Sequence, residues 1–176
     1  MGVTILVAYD DNRVIGYKQK IPWQLVEDLR LFHKRTLGYK VLMGRKTWDN
    51  LPEKPLPGRL NIVLTRKSSL VTHAVVNPGQ AAKMLREGIS DGPVIANDIV
   101  EICKVNGENL FIIGGYQIYE LSLKLGLVDN IIVSKVLGRH EGDVYFPILP
   151  EDRWSFANLE KHNGFEILEY TKKVRQ

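Results

Sequence analysis

Three stretches of this sequence could hold phosphate groups. Gly44-Arg45-Lys46-Thr47-Trp48 follows the apolar run Lys40-Val41-Leu42-Met43, so a glycine, two cations and a hydroxyl stand where a strand would give way to a helix. Backbone N–H groups at a helix start, with positive side chains beside them, suit an anion. Ile112-Ile113-Gly114-Gly115 leads into Tyr116-Gln117-Ile118-Tyr119 and places adjacent glycines where a backbone could approach a pyrophosphate closely. Thr65-Arg66-Lys67-Ser68-Ser69 adds two cations and three hydroxyls at the end of another apolar run. Each stretch alone also reads as a solvated basic turn or a tight strand-to-helix turn, and none is a full G-x-G-x-x-G fingerprint. Together they favour a dinucleotide, and the surplus cations favour one with an additional phosphate, NADP rather than NAD.

Two further residues offer chemistry. Leu25, Leu29 and Phe32 repeat at helical spacing, and on a helical wheel Asp28 falls between Leu31 and Phe32 at the edge of that stripe. A carboxyl there is partly desolvated, which raises its pKa and suits it to holding or relaying a proton; a first-turn Asp facing the helix dipole is the plainer alternative. Arg59 follows the rigid Leu56-Pro57-Gly58 turn and offers a planar fork to a carboxylate, unless it is an ordinary surface arginine. Histidines 33, 73, 140 and 162 show no ligand spacing, so no metal is expected. Cys103 sits at an apolar helical position and reads as core.

These groups need a scaffold, and the hydrophobic pattern describes one. Strand-length apolar runs recur at 4–8, 40–43, 61–65, 110–113 and 130–134, without strict alternation. Such runs suit strands covered on both faces. Helical stripes lie between them at Leu25/Leu29/Phe32, Ala81/Ala82/Leu85, Ile99/Ile102/Cys103 and Ile118/Leu121/Leu125. The fold class is therefore α/β, with a central, mostly parallel twisted sheet and flanking helices. Residues 154–174 read as an antiparallel hairpin closing one edge, and 77–93 as an inserted helical excursion. In such sheets ligands bind at the carboxyl ends of the strands, where all three phosphate candidates fall.

The chain of 176 residues is 44% hydrophobic and 25% charged, which excludes a disordered, collagen-like or disulfide-built protein. The length suits one domain over 1–176. A net charge of +4 permits an anionic small ligand without calling for nucleic acid. One cysteine excludes an internal disulfide, and Val3–Tyr9 is too short to span a membrane and lacks the flanks of a signal peptide. A cytoplasmic protein is expected.

Taken in order, the motifs resemble the dihydrofolate reductase family over nearly the whole chain. The matching blocks are Asn12-Arg13-Val14-Ile15-Gly16, Ile21-Pro22-Trp23, Asp28-Leu29 with Phe32, Met43-Gly44-Arg45-Lys46-Thr47-Trp48, Leu56-Pro57-Gly58-Arg59, Ile113-Gly114-Gly115 with Tyr119, and Glu141-Gly142-Asp143 before Phe146-Pro147. The resemblance implies NADPH-dependent reduction of dihydrofolate to tetrahydrofolate. It implies a catalytic set of Asp28, Trp23 and Ser134, with Asp28 bonded to the pteridine. Leu6, Ala8, Phe32, Leu56 and Ile113 would line the substrate cleft, and Arg59 would clamp the glutamate carboxylate. Arg45, Lys46, Thr47, Thr65 and Arg66 would hold the cofactor phosphates, with Gly114 and Gly115 at the pyrophosphate and Tyr119 near the nicotinamide. Ala8, Ile15, Gly44 and Ile113 would also touch the cofactor, and residues 10–24 would form a mobile loop over it. The expected protein is a monomer needing neither nucleic acid nor membrane. A same-fold reductase of another substrate, such as an aminouracil, and a non-catalytic scaffold are the competing readings.

Overall fold

Apolar runs covered on both faces belong in the middle of a sheet, and the chain builds one. The computed structural model describes residues 2–66, 93–106 and 109–173. In chain order the elements are β1 (Val3–Tyr9), β2 (Val14–Gly16), α1 (Val26–Thr36), β3 (Lys40–Gly44), α2 (Arg45–Asp49), β4 (Leu60–Leu64) and β5 (Val94–Ala96). They continue with α3 (Ile99–Asn106), β6 (Leu110–Gly114), α4 (Tyr116–Lys124), β7 (Asn130–Val136), β8 (Val144–Tyr145), β9 (Trp154–His162) and β10 (Phe165–Lys172). Eight strands form one sheet in the order β5-β4-β3-β6-β1-β7-β10-β9. The pairings from β5 through β7 are parallel, and β7-β10 and β10-β9 are antiparallel. The mostly parallel α/β sheet and its antiparallel C-terminal edge are as the sequence predicts. Among the described residues no helix is long and apolar enough to cross a membrane.

Side chains alternate between two cores because successive residues of a strand face opposite sides. Ile5, Val7, Leu42, Ile62, Leu110, Ile112, Ile131 and Val133 join one cluster, while Leu6, Val41, Met43, Val63 and Phe111 join the other. A third, small cluster of Val136, Phe165 and Ile167 sits beneath the hairpin, packed by Trp23, Leu25 and Leu31. The hairpin turns at Asn163-Gly164, where Gly164 holds a φ of 88° that side-chain-bearing residues seldom adopt. Cys103 is buried as predicted, and that burial, with Asp129 nearby, pushes its thiol up to about 11.

Several expectations shift. The stripe Ile118/Leu121/Leu125 does not define the packed face of α4, whose buried positions are Ile118, Tyr119 and Ser122; Leu121 and Leu125 are exposed. Tyr119 and Ser122 can be buried because the Tyr119 hydroxyl donates to the Leu6 carbonyl and the Ser122 hydroxyl to the Tyr119 carbonyl. The strands β2, β5 and β8 carry no periodic signal at two or three residues each. The stripe Ala81/Ala82/Leu85 and the excursion over 77–93 lie outside the described residues, apart from Pro93.

Ile112 is fully buried in β6, between β1 and β3. Truncation there leaves a cavity that rigid neighbouring strands cannot close, so Ile112→Ala should cost ~2–5 kcal/mol. Urea unfolding of the parent and variant measures it.

Candidate active site

The carboxyl ends of the central strands open into a cleft of about 1750 Å³. That exceeds the ~300–1,000 Å³ usual for one small ligand and leaves room for a dinucleotide and a second molecule. Its floor depends on β3 and β6 lying side by side. The pairing runs Leu42↔Ile112 and then Met43↔Gly114, so β6 holds one extra residue, Ile113, opposite the step. Such a bulge re-aims a side chain, and Ile113 lines the cleft.

Both strands end at glycine, for steric reasons. A Cβ on Gly44 would come 3.0 Å from Ile118 Cγ1, and one on Gly115 would come 3.1 Å from Thr47 Oγ1. Gly114 has a φ of 136°, and a Cβ there would meet Thr47 Oγ1 at 3.3 Å. Helices α2 and α4 start directly after these glycines, and neither N-cap makes a side-chain hydrogen bond. The first amides of a helix have no intrahelical acceptor, so two sets of unsatisfied N–H groups border one cavity. Since α2 has only five residues, its contribution comes from individual amides rather than a summed helix dipole. Glycine clearance and free amides fit the pyrophosphate of a dinucleotide.

Cations ring this end. Arg45, Lys46, Thr65 and Arg66 all line the cleft, with Arg66 and Lys46 exposed. Arg45 also pairs with Asp49 at 2.7 Å across one helical turn, an exposed contact that orients the side chain and contributes little energy. Thr65 is fixed by its amide, which donates to the Ala96 carbonyl at 2.9 Å. The Tyr116 hydroxyl donates to Glu120 at 2.7 Å, which ties it along α4.

Asp28 occupies the other half. It lies in the first turn of α1, is partly buried, and accepts a hydrogen bond from Ser134 on β7. Burial raises its pKa above the ordinary carboxylate value; the Ser134 bond and the positive fields of Arg35 and His162 offset part of that rise. Of the stripe beside it, Leu29, which is 59% exposed, and Phe32 line the cleft, while Leu25 packs into the third cluster. Arg59 stands at the mouth of this half, where burial lowers its pKa and Glu53 opposes the shift. The Tyr119 hydroxyl is spent on the Leu6 carbonyl at 3.1 Å, and burial raises its pKa strongly.

Of the site residues expected from sequence, the cleft gathers Leu6, Ala8, Ile15, Asp28, Phe32, Leu56, Arg59, Ile113 and Ser134 with Gly44, Arg45, Lys46, Thr47, Thr65, Arg66, Gly114, Gly115 and Tyr119. Lys67, Ser68 and Ser69 of the third stretch lie outside the described residues. Trp23 is not among the residues that line the cleft; its indole packs in the third cluster and meets the His140 ring edge-on at 5.1 Å. It sits at the root of the 10–24 loop, where it anchors the chain before α1. That loop is fastened on one side: buried Asp10 accepts from the amides of Asn12, Val14 and His140, and Asp143 accepts from the Lys18 amide at 3.0 Å. Gln19, Lys20 and Ile21 face the cleft from its far limb, and Asn97 borders the phosphate end from behind β5. Ile21 belongs to the Ile21-Pro22-Trp23 block, but no motif marked Gln19, Lys20 or Asn97, because loop curvature and a three-residue strand place them. His33 also lines the cleft beside Arg59, and a lone helical histidine carries no spacing signal.

The chain is similar to known proteins. The family model for dihydrofolate reductase matches residues 2–175. The dihydrofolate reductase of Neisseria meningitidis serogroup A is 33% identical over 155 residues, covering 88% of this chain and 85% of that protein. The Bacillus subtilis dihydrofolate reductase is 32% identical over 178 residues, covering 97% of this chain and 95% of that protein. A solved dihydrofolate reductase from Enterococcus faecalis, complexed with NADP(H), superposes with a TM-score of 0.73 at 21% identity, covering 98% and 97% of the two chains. With a family match over all but the chain's first and last residues, and relatives above 30% identity across most of their length, the chain belongs to the dihydrofolate reductase family of NADPH-dependent enzymes.

Proposed function

We propose that this enzyme reduces 7,8-dihydrofolate to 5,6,7,8-tetrahydrofolate, with hydride delivered to C6 and a proton to N5. The observation that carries the reading is the half-buried Asp28, bonded to Ser134, in the same cleft as the three phosphate-suited strand ends. Bound NADPH supplies the hydride, and the chain supplies position and electrostatics. Gly44, Gly114, Gly115 and the amides after them would hold the pyrophosphate, and Arg45, Lys46, Thr47, Thr65 and Arg66 the remaining phosphate. Asp28 orients the pteridine ring and, with its raised pKa, favours the protonated ring. Leu6, Ala8, Phe32, Leu56 and Ile113 give apolar walls that exclude water. Arg59 clamps the glutamate carboxylate. The proposed working unit is a cytoplasmic monomer whose single thiol, Cys103, is free and buried. NADPH oxidation measured with dihydrofolate, and separately with an aminouracil, tests the substrate; turnover of the aminouracil alone would overturn it.

Asp28→Asn should cut turnover at neutral pH by ~10²–10⁴-fold, with partial recovery as pH falls. A parental pH–rate profile in that variant would defeat the assignment. The same residue has a signature in stability. A carboxyl whose folded pKa is raised lends stability at acid pH and loses it as pH rises through that value. Relative to the parent, Asp28→Asn should therefore gain at neutral pH over mildly acid pH, as read from urea midpoints.

A hydrogen bond from a charged group contributes ~1.5–3 kcal/mol, less where water screens it, so NADPH should be preferred over NADH at least ~10-fold. The pair Arg45→Ala and Arg66→Ala should erase most of that preference while NADH use stays nearly intact. Arg59→Lys keeps the charge and loses the fork, so dihydrofolate binding should weaken ~10–100-fold. A dihydropterin without the glutamate tail should bind as before; an equal loss for both would make Arg59 a structural residue.

A further inference from the structure

The guanidinium of Arg59 is held in place without being neutralised. Its Nε donates to the Pro57 carbonyl at 2.9 Å, one terminal nitrogen donates to Thr36 Oγ1 at 3.1 Å, and the other lies 3.2 Å from His33 Nδ1. Thr36 is itself anchored, its hydroxyl donating to the Phe32 carbonyl at 2.8 Å. The Phe32 ring lies 5.9 Å from the guanidinium carbon, within cation–π range. None of the ion pairs among the described residues includes Arg59. All three acceptors around it are uncharged in this arrangement. Arginine has no acceptor and does not lose its proton, so His33 Nδ1 must accept, which requires a ring with no proton on that nitrogen.

The choice of acceptor has a consequence. A carboxylate at position 33 would neutralise the fork and compete with an incoming anion, and a lysine would repel the fork. A neutral imidazole fixes the orientation and leaves the full positive charge for the ligand. Of the five N–H donors of an arginine, the three bonds occupy Nε and one donor on each terminal nitrogen. One donor remains on each terminal nitrogen for an incoming carboxylate. Helical geometry supplies the rest, because His33 and Thr36 stand three residues apart on one side of α1 and meet Arg59 together.

We propose that His33 is a positioning residue for substrate, completing a three-point neutral cradle that holds Arg59 with its remaining donors available to the substrate carboxylate. This rests on the reading of Arg59 as the carboxylate clamp. His33 is exposed, so substitutions there should leave folding intact.

The test compares His33→Leu, His33→Asn and His33→Lys, with Arg59→Ala as reference, on dihydrofolate and on a dihydropterin lacking the benzoylglutamate tail. His33→Leu should raise the KM for dihydrofolate ~3–10-fold, the scale of one hydrogen bond in a shared cradle. Its kcat, its KM for NADPH and its use of the tailless substrate should not change. His33→Asn places an amide oxygen near the former Nδ1 and should restore most of the loss. His33→Lys brings a charge but no acceptor, and should be no better than leucine. No effect from His33→Leu, or equal loss on both substrates, would overturn the proposal. Rescue by lysine and not by asparagine would also overturn it, showing that charge toward the tail matters rather than the acceptor. If Arg59→Ala discriminates between the substrates while His33→Leu does not, only the His33 role falls. If Arg59→Ala fails to discriminate, the clamp falls and takes the His33 role with it.

Discussion

Because β3 and β6 pair from Lys40↔Leu110 to Met43↔Gly114, the chain leaves both strands at nearly the same point. Two turns and two helix starts must then share a space that one turn would ordinarily fill. Glycine at 44, 114 and 115 is the solution, and the 3.0–3.3 Å distances from a hypothetical Cβ to Ile118 and Thr47 show how little clearance is left. This crowding brings the amides after Gly44 and Gly115 to one cavity. It also holds Thr47 against the glycine pair and sets α4 so that Tyr119 reaches back to Leu6 on β1. The phosphate side of the cleft thus follows from one strand pairing, and the cations around its rim add charge to a shape already made.

The other side of the cleft uses burial as its chemical lever. Desolvation disfavours the charged form of any group, and it acts here on an acid and a base in opposite senses. It raises Asp28, whose Ser134 bond and cationic neighbours restrain the rise, and it lowers Arg59, whose guanidinium nonetheless stays charged. The cleft therefore combines a carboxyl that readily takes a proton with a cation that is poorly hydrated and receptive to an anion. Phe32, one helical turn beyond Asp28, is the apolar surface common to both, since its ring also faces Arg59. Apolar walls here do more than exclude water.

What could be read from the sequence were features with local signatures. Glycines after apolar runs, cations at strand ends and a carboxyl beside an apolar helical stripe each announce themselves within a few residues, and the cleft brings them together. Five of the parallel strands, β1, β3, β4, β6 and β7, were legible because burial on both faces makes their runs continuous. What escaped was held by distant partners. The strands β2 and β8 exist through each other, across more than a hundred residues of chain. The buried face of α4 includes a tyrosine and a serine whose satisfaction depends on Leu6 and on the helix's own carbonyls, which a hydrophobic stripe cannot reveal. Trp23 drew its expected role from family likeness alone, and its contact with His140 lies more than a hundred residues away in the chain. His33 was invisible for the opposite reason: its partner, Arg59, was noticed, but nothing in spacing says which face of a turn an arginine will lean on.

The position of β1 bears on how the chain can be made. Its neighbours in the sheet are β6 and β7, and the ladders join Val3 to Leu110 and Ile5 to Ile131. This strand is made before either neighbour and is thus among the last to be enclosed, because neither flanking strand exists until about a hundred further residues have emerged. Long-range pairings of this kind are slow to close and leave apolar surface open meanwhile. During translation, Ile5, Leu6 and Val7 would wait with both sides uncovered, a segment suited to capture by a chaperone or to mispairing with another nascent chain. The central place that lets β1 help build the cleft also leaves that strand exposed to error until both of its neighbours have been made.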